Sequence, residues 1–296
     1  MPEGKARGRV RFDVVIAGAG FVGRTLGLAL AKLAPQGFRV ALVDAEPARA
    51  EESGTEDARA LALSAATRNL LSVLDLWPSV APRAQAIEAI EITDSALNAH
   101  LRPHFLGFDD ELKRDGAGAF MVEHNDLVRV LAGAVAEESA IEVHAPETVT
   151  DFNTDAFGVE ARLGSGKAIE ARLLVAADGK RSRLRERAGV RCVGWSYPQI
   201  GIVTTVAHAR PHHGKAVQHF LPSGPFAILP LKGNRSSIVW TEGEAQGEAI
   251  MALDEARFLD ELTTRFGLKL GEIALAGPRQ SFPLDMQIAR SFVADR

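Results

Sequence analysis

Three glycines near the start of the chain have the spacing of a loop that binds a dinucleotide. Residues 12–17 are apolar except for Asp13, a run typical of a buried parallel strand, and they lead into Gly18, Gly20 and Gly23. Gly18 would allow a tight turn, Gly20 would let backbone amides approach a pyrophosphate, and Gly23 would allow a helix to pack closely on the strand. The amides and the dipole at the start of that helix would favour negative charge. The alternative is a glycine turn that binds no ligand.

A helix and an acidic residue complete the predicted loop. Phe21 and Val22 lie within the glycine motif and open the predicted helix 21–34, so we include both among the candidate cofactor contacts. Asp44 follows the next predicted strand, 38–43, where it could accept hydrogen bonds from a ribose 2′-hydroxyl. Strand, helix and strand in this order predict one β-α-β unit.

A second predicted strand, 173–177, ends in an acidic residue and a glycine. Asp178 could bind a sugar hydroxyl on the ribityl side of a flavin, Gly179 would permit close approach, and Arg185 could meet a phosphate. The alternative is an acidic turn that caps a helix whose basic face is merely solvated. Together with the glycine loop, this motif favours FAD as the dinucleotide.

An arginine opens an otherwise apolar segment, 59–63, which we predict to be a short turn before a helix over 64–74. Arg59 beside a cofactor would bind its pyrophosphate or flank the isoalloxazine. The alternative is a salt bridge from Arg59 to Asp57 or Glu56. The sequence leaves both interpretations open.

Composition excludes several classes of function. The chain has 296 residues, 34 Lys and Arg against 38 Asp and Glu, and a net charge of −4, so it lacks the basic footprint of a nucleic-acid-binding protein. The single cysteine excludes an internal disulfide and favours the cytoplasm. The longest apolar stretch, 14–33, is broken by glycines and charges, which argues against a membrane span. We predict no metal site, because the spacing of the clustered histidines matches no common zinc site. These histidines are His208, His212, His213 and His219.

Five segments resemble the FAD-dependent aromatic hydroxylases related to para-hydroxybenzoate hydroxylase. More narrowly, they resemble the UbiH-like branch, the bacterial ubiquinone-biosynthesis hydroxylases. These segments follow one another along nearly the whole chain: GAGFVG (18–23), DARALALS (57–64), AADGKRSRLR (176–185), QHFLPSGPFAILPL (218–231) and SSIVWT (236–241).

The resemblance implies an α/β fold with a Rossmann-like FAD-binding domain and an inserted β-sheet substrate domain. It implies a monooxygenase in which NADH or NADPH reduces the flavin and O2 forms a C4a-hydroperoxide. The terminal oxygen would pass to the aromatic ring of a ubiquinone-biosynthesis intermediate, a small and prenylated molecule. The protein would contribute positioning and the exclusion of water.

The resemblance also assigns roles to individual residues. Asn125 is a candidate cofactor contact, although the family commonly has Arg or Gln in that region. No protein acid or base is identified. Phe220, Phe226 and Ile228 are candidates for an apolar substrate pocket, with the hydrophobic core as the alternative. The remaining assignments are Gly18, Gly20, Gly23 and Asp44 on the AMP side of FAD, Arg59 near the flavin, Asp178 and Gly179 as the Asp-Gly pair, and Arg185 for NAD(P)H.

The expected domain organisation follows the same resemblance. The family's second FAD fingerprint, a Gly-Asp pair, has no counterpart in this sequence. We therefore expect a C-terminally truncated chain. Whether such a chain retains FAD, and whether it is active, stays open. The expected segments are 1–86 for the first part of the FAD-binding domain, 87–118 for a substrate-domain segment, 119–190 for the second FAD part, 191–284 for a β-rich substrate domain and 285–296 for the return to the FAD domain.

Other functions and partners remain open at this point. The same fold could hydroxylate another aromatic compound, or the chain could be a non-catalytic scaffold subunit of a biosynthetic complex. A nicotinamide dehydrogenase would leave the Asp-Gly segment unexplained. The sequence also leaves open peripheral association with the inner face of the membrane, membership of a biosynthetic complex, and homo-oligomers.

Overall fold

The computed structural model describes residues 12–47, 57–97, 103–108 and 118–295. Its strands, in chain order, are β1 (Phe12–Ala17), β2 (Val40–Val43), β3 (Ala60–Ser64), β4 (Gln85–Ile87), β5 (Ala89–Asp94), β6 (His104–Phe108), β7 (Ala119–Glu123), β8 (Ile141–His144), β9 (Val149–Thr154), β10 (Val159–Leu163), β11 (Ala168–Ala176), β12 (Cys192–His208), β13 (Lys215–Leu221), β14 (Gly224–Leu231), β15 (Arg235–Gly243), β16 (Ile273–Leu275) and β17 (Gln280–Ala289). Its α-helices are α1 (Phe21–Leu33), α2 (Ala65–Val73), α3 (Trp77–Val80), α4 (His124–Glu137), α5 (Arg183–Arg187), α6 (Glu244–Met251) and α7 (Glu255–Phe266), and a 3-10 turn covers Ala81–Arg83.

The chain divides into two compact units. Unit 1 comprises residues 1–53, 128–194 and 287–296, and unit 2 comprises 54–127 and 195–286. Both contain sheets and helices, which confirms the predicted α/β class. The assignment of FAD-binding and substrate roles to chain segments stays a prediction.

Unit 1 is built on a six-stranded sheet in the order β8-β2-β1-β11-β10-β9. The pairs β8–β2, β2–β1 and β1–β11 are parallel. Because both faces of a parallel sheet are covered, its central strands are mainly apolar, and in β2 every residue is buried. On α1, a Cβ added to Gly27 would lie 3.4 Å from Ile141, 3.8 Å from Ile16 and 4.0 Å from Val40, so the helix packs closely on these side chains.

Strand β11 has different partners at its two ends. Its residues 168–171 pair antiparallel with β10, and its residues 171–176 pair parallel with β1. The sequence pattern predicts two short strands, 168–170 and 173–177, and the structure has one strand of nine residues. The parallel half ends at Ala176, directly before the Asp-Gly motif.

Unit 2 contains an eight-stranded sheet in the order β16-β12-β15-β14-β13-β5-β6, with β17 also paired to β12. Helices α6 and α7 contribute Ile250, Phe258 and Leu262 to the hydrophobic cluster on one face, which includes Phe226 and Trp240. A separate three-stranded sheet has the order β3-β7-β4.

The predicted turn at 59–63 is wrong, because most of it belongs to β3. Leu61 pairs with Val122 and Ala62 with Met121 in an antiparallel ladder with β7. The alanine and leucine residues of this segment have no strong strand preference, so the distant partner strand decides the conformation.

A buried ion pair links β15 to α7 in unit 2. The Arg265 side chain donates from Nε (3.1 Å) and Nη2 (3.0 Å) to Glu242 Oε1, and each of the two side chains is only 5% exposed. Trp240 Nε1 donates to the same oxygen at 2.9 Å, and the Arg265 guanidinium lies 4.3 Å from the Trp240 ring centroid. Arg265 Nη1 also donates to Glu261 Oε2 at 2.6 Å. These contacts offset the cost of removing two charges from water.

We expect Arg265→Met to reduce the free energy of unfolding by about 3–5 kcal/mol, because it leaves Glu242 buried without its charge partner. The matched control is Arg257→Met on the same helix, whose side chain is 76% exposed. It should cost less than about 0.5 kcal/mol. Urea titrations followed by tryptophan fluorescence measure both, and equal losses for the two variants would contradict a structural role for the buried pair.

Candidate functional site

The predicted glycine loop and the Asp-Gly motif lie side by side in unit 1. They follow β1 and β11, which are adjacent parallel strands with Ala17 beside Ala176. The Gly18 amide donates to the Val43 carbonyl at 2.7 Å, and the Ala177 amide donates to the Ala17 carbonyl at 2.8 Å. The carboxyl ends of β2, β1 and β11 therefore form one edge, which we call the loop edge. In open α/β sheets, ligands bind at this side of the strands.

Glycine is required at two positions of the loop for different steric reasons. Gly18 has φ +105°, and a Cβ there would lie 2.3 Å from the Ala177 carbonyl oxygen and 2.9 Å from the Asp178 nitrogen. A Cβ on Gly23 would lie 1.8 Å from the Gly18 carbonyl oxygen. A Cβ on Gly20 would meet no atom within 4 Å. Gly18 and Gly23 thus serve the fold, whereas Gly20 leaves open space beside the loop, as a pyrophosphate would need.

The start of α1 is suited to an anion. Gly20 is its N-cap residue and makes no side-chain cap, the first turn contains no acidic residue, and the first intrahelical bond runs from the Arg24 amide to the Gly20 carbonyl at 3.0 Å. Val22, in the first turn, is 71% exposed. A helix N-terminus in this setting favours negative charge through its amides and its dipole. The residues present therefore fit a dinucleotide pyrophosphate.

Asp44 lies at the end of β2 and holds the glycine loop. Its Oδ2 accepts a hydrogen bond from the Ala19 amide, and its Oδ1 accepts one from the Glu46 amide at 2.8 Å. A carboxylate can accept about four hydrogen bonds, so these contacts are compatible with a ribose hydroxyl as a further donor. The ribose contact stays a prediction.

Asp178 and Gly179 are both exposed at the loop edge. Gly179 has φ +84°, a conformation that favours glycine. The cap of helix α5 is Ser182, whose Oγ accepts the Arg185 amide at 2.9 Å, so capping does not account for Asp178. Arg185 Nη1 donates to the Lys180 carbonyl at 2.9 Å and thereby holds the turn after the Asp-Gly pair. The contact between Arg185 and NAD(P)H stays a prediction.

In unit 2, Arg59 forms the salt bridge that the sequence left as its alternative. Arg59 Nε donates to Asp57 Oδ1 at 2.9 Å, and Nη2 donates to Oδ2. Burial raises the pKa of the Asp57 carboxyl, but the hydrogen bonds and the positive charge of Arg59 outweigh it, so that this pKa lies below its ordinary value of 3.8. The same hydrogen bonds raise the pKa of Arg59. The Arg59 side chain is still 47% exposed, so a cofactor contact and the salt bridge are compatible.

His124 completes this cluster, and our sequence analysis assigned it no role. Its Nε2 lies 3.3 Å from Arg59 Nη2, and its Nδ1 lies 3.4 Å from both Asp57 Oδ2 and Asn125 Oδ1. Asn125, a predicted cofactor contact, therefore lies beside the cluster and is half-buried. The signal in the sequence was the histidine at the start of α4, only one position before Asn125.

The three candidate substrate-pocket residues do not share one surface. His219 is paired with Phe226 and Phe220 with Pro225, so Phe220 and Phe226 point to opposite faces of the sheet. Phe226 and Ile228 are buried in the core cluster on the side of α6 and α7. Phe220 is 46% exposed. Phe226 and Ile228 therefore belong to the hydrophobic core, the alternative that the sequence left open. A substrate role stays a prediction for Phe220.

The part of the chain that the structure describes contains neither a metal-binding group nor a membrane-spanning helix. The described residues contain no group of three or more His, Cys, Asp or Glu that could hold a metal ion. None of their helices combines the length and the apolar character needed to cross a lipid bilayer.

Comparison with known proteins identifies the family. A family model described as FAD binding domain matches residues 11–296. The chain belongs to this FAD-binding family. The family thus accounts for the glycine loop and confirms the resemblance to flavin enzymes.

Two proteins with similar sequences are named as hydroxylases of the ubiquinone pathway. The chain is 39% identical to the ubiquinone hydroxylase UbiL of Rhodospirillum rubrum, and the match covers 96% of the chain and 64% of UbiL. It is 31% identical to the 3-demethoxyubiquinol 3-hydroxylase of Escherichia coli, over 95% of the chain and 70% of that enzyme. The chain therefore spans about two thirds of the length of these relatives.

A solved structure supports the same fold. The p-nitrophenol 4-monooxygenase PnpA of Pseudomonas putida superimposes with a TM-score of 0.70 at 19% identity, over 94% of the chain and 69% of PnpA. The fold of the FAD-dependent aromatic monooxygenases, as predicted from the sequence, is thereby confirmed.

We expect Gly18→Ala to reduce the free energy of unfolding of this chain by more than about 3 kcal/mol, because the added Cβ would overlap the Ala177 carbonyl in a positive-φ conformation. Gly20→Ala is the matched control and should cost about 1 kcal/mol, the loss of a favourable N-cap residue. Thermal and urea unfolding of both variants provide the test. Similar losses of unfolding free energy at the two positions would show that the close approach of Gly18 to Ala177 does not require glycine.

We expect Arg59→Gln to raise the pKa of Asp57, because the hydrogen bonds and the charge of the guanidinium no longer oppose the effect of burial. In the parent protein the ionised Asp57 carboxylate stabilises the fold at pH values above the ordinary pKa of the carboxyl. This stabilisation is lost as the pH falls through the lower pKa that Asp57 has in the folded state. A ¹³C NMR titration of the Asp57 carboxyl measures the change, with Asp151, whose partner is Arg187, as the internal control. An unchanged Asp57 midpoint would mean that Arg59 does not hold the carboxylate in solution.

Proposed function

We propose that this chain belongs to an FAD-dependent monooxygenase that hydroxylates the aromatic ring of a ubiquinone-biosynthesis intermediate. One observation carries the proposal: the backbone of Gly18 lies against Ala177 and Asp178, so that the glycine loop and the Asp-Gly pair share one edge of the sheet. The family is FAD-binding, and UbiL and the Escherichia coli relative are named as ubiquinone-pathway hydroxylases.

The residues at the loop edge would divide the binding of FAD between them. The open space at Gly20 and the start of α1, with Phe21 and Val22, would receive the pyrophosphate, since this surface offers amides and no acidic side chain. Asp44 would accept from the adenosine ribose, and Asp178 from a hydroxyl of the ribityl chain. When bound, FAD supplies a ring system that accepts a hydride and then reacts with O2.

Further contacts of the proposed enzyme involve the remaining candidate residues. Arg59 and Asn125, in unit 2, are proposed contacts to the flavin cofactor. Arg185 is proposed to bind NADH or NADPH, the reductant, with the nitrogens that the Lys180 carbonyl does not engage. No side chain is assigned as a catalytic acid or base, since the chain's proposed work is to bind, orient and exclude water.

The proposed substrate is a small aromatic molecule that carries a prenyl chain. Half-exposed Phe220 offers an apolar surface for such a molecule. Because a prenylated substrate dissolves in the membrane, the proposal includes peripheral association with the inner face of the membrane from the cytoplasm. Association with other biosynthetic proteins, or with a second copy of the chain, belongs to the same proposal.

The first experiment is a visible absorbance spectrum of the purified chain, before and after FAD is added and the mixture is passed through gel filtration. We expect oxidised-flavin bands that remain with the protein, and then O2-dependent oxidation of NADH or NADPH that increases with an aromatic substrate. A chain that retains no flavin would overturn the proposal for this chain. Retained flavin without any NAD(P)H oxidation would favour a scaffold role instead.

In the same experiment, Asp178→Ala should weaken FAD binding about tenfold, the loss expected for a hydrogen bond to a charged acceptor. Glu170→Ala is the matched control, since Glu170 is an exposed carboxylate near the other end of β11. Fluorescence titration with FAD measures both affinities. Equal affinities in parent and Asp178→Ala would remove Asp178 from the site.

A further inference from the structure

The half-buried cluster in unit 2 contains a histidine whose hydrogen-bonding state can be worked out from its neighbours. A guanidinium can only donate, so the contact between Arg59 Nη2 and His124 Nε2 at 3.3 Å requires Nε2 to accept. In a neutral imidazole the hydrogen is then on Nδ1. Nδ1 faces two acceptors at 3.4 Å, Asp57 Oδ2 and Asn125 Oδ1, which agrees with this assignment.

The opposite protonation states do not satisfy the cluster. A hydrogen on Nε2 would point at the Arg59 guanidinium, which has no lone pair to accept it. A protonated imidazole would place that hydrogen and a second positive charge beside the same group. The lowered pKa of Asp57 keeps its carboxylate an acceptor at neutral pH. Asp57, Arg59 and neutral His124 thus form a ring of compatible donors and acceptors.

This ring leaves one part of Arg59 available. Asp57 engages Nε and Nη2, and His124 contacts Nη2, while no hydrogen bond between described residues uses Nη1. The guanidinium lies 5.4 Å from the Phe282 ring centroid, and the Arg59 side chain is 47% exposed. Long arginine side chains lose conformational freedom when they bind, so an arginine that is already fixed binds an oxygen ligand at lower entropic cost.

We propose that His124, in its neutral Nδ1–H form, is a positioning residue that fixes the Arg59 guanidinium with Asp57, so that Nη1 is presented to an anionic or carbonyl oxygen of the flavin cofactor. The choice of ligand rests on the proposed function; the hydrogen-bonded ring itself does not. His124 is only 9% exposed, whereas the Arg59 side chain is 47% exposed, so His124 acts through the arginine.

The first test uses FAD titrations of the purified chain, followed by flavin fluorescence. His124→Leu removes both hydrogen bonds and should weaken FAD binding about tenfold. His124→Gln retains one donor and one acceptor and should restore the affinity to within about threefold of the parent. The control is His213→Asn, at an exposed position with φ +51° that asparagine tolerates, and it should bind FAD like the parent.

Unfolding midpoints of the same variants separate positioning from stability. If FAD affinity simply follows the unfolding midpoint across the Leu and Gln variants, the role of His124 is structural and the proposal is wrong. If Arg59→Gln weakens FAD binding while His124→Leu binds like the parent, the positioning role is also wrong, although the proposed function stands. A parent chain that binds no FAD overturns the proposed function and the choice of ligand.

The second test needs no cofactor. Nitrogen NMR of the chain with ¹⁵N-labelled histidine distinguishes the two neutral tautomers and the protonated imidazole, and His124→Gln identifies the signal. We expect the Nδ1–H tautomer at neutral pH. An Nε2–H tautomer or a protonated ring would overturn the proposal, whatever the outcome of the FAD titrations.

Discussion

Unit 1 depends on the contact between the backbone of Gly18 and the backbone of residues 177 and 178. No side-chain atom fits between the ends of β1 and β11, so the loop that follows one strand is packed directly on the turn that follows the other. Asp44 secures the same loop from the side of β2 through the Ala19 amide. The edge that presents amides and carboxylates is therefore part of the packed structure of the sheet. Its geometry is set before any ligand arrives, which lowers the cost of binding.

Unit 2 uses arginine in two settings that differ in exposure. Arg265 is almost completely buried, and its side chain is engaged by Glu242, Glu261 and the Trp240 ring. Arg59 also has a carboxylate partner, but nearly half of its side chain reaches solvent. The first arrangement stabilises the packing of α7 on β15. The second fixes a cation while leaving part of it accessible, as recognition of an oxygen ligand requires.

The sequence predicted the features that depend on local signals. The apolar strand, the glycine spacing and the acidic residue after the next strand predicted a dinucleotide-binding α/β protein, and the Asp-Gly pair narrowed the dinucleotide to FAD. Both the class and the family are confirmed. The segment after Arg59 was predicted wrongly because its conformation comes from pairing with β7. Likewise, only the β13–β14 register separates Phe220 from Phe226.

The contacts of His124 could not be read from the sequence for the same reason. Asp57 and His124 are distant along the chain and come together through the β3–β7 ladder, in which Ala60 pairs with Glu123. The ion pair of Arg265 and Glu242 joins a helix to a strand and follows no short sequence spacing. Tertiary pairing decides such contacts, whereas periodicity reports only which residues are buried.

The parallel pairing of β1 with β11 has a consequence for biosynthesis. Phe12 pairs with Ala171, so the first strand has no partner on that side until residue 171 and those just after it have left the ribosome. At typical rates of translation, this delay is on the order of ten seconds. During that time the apolar β1–α1–β2 segment lacks a central neighbour of its sheet, and closing so long a loop is entropically costly.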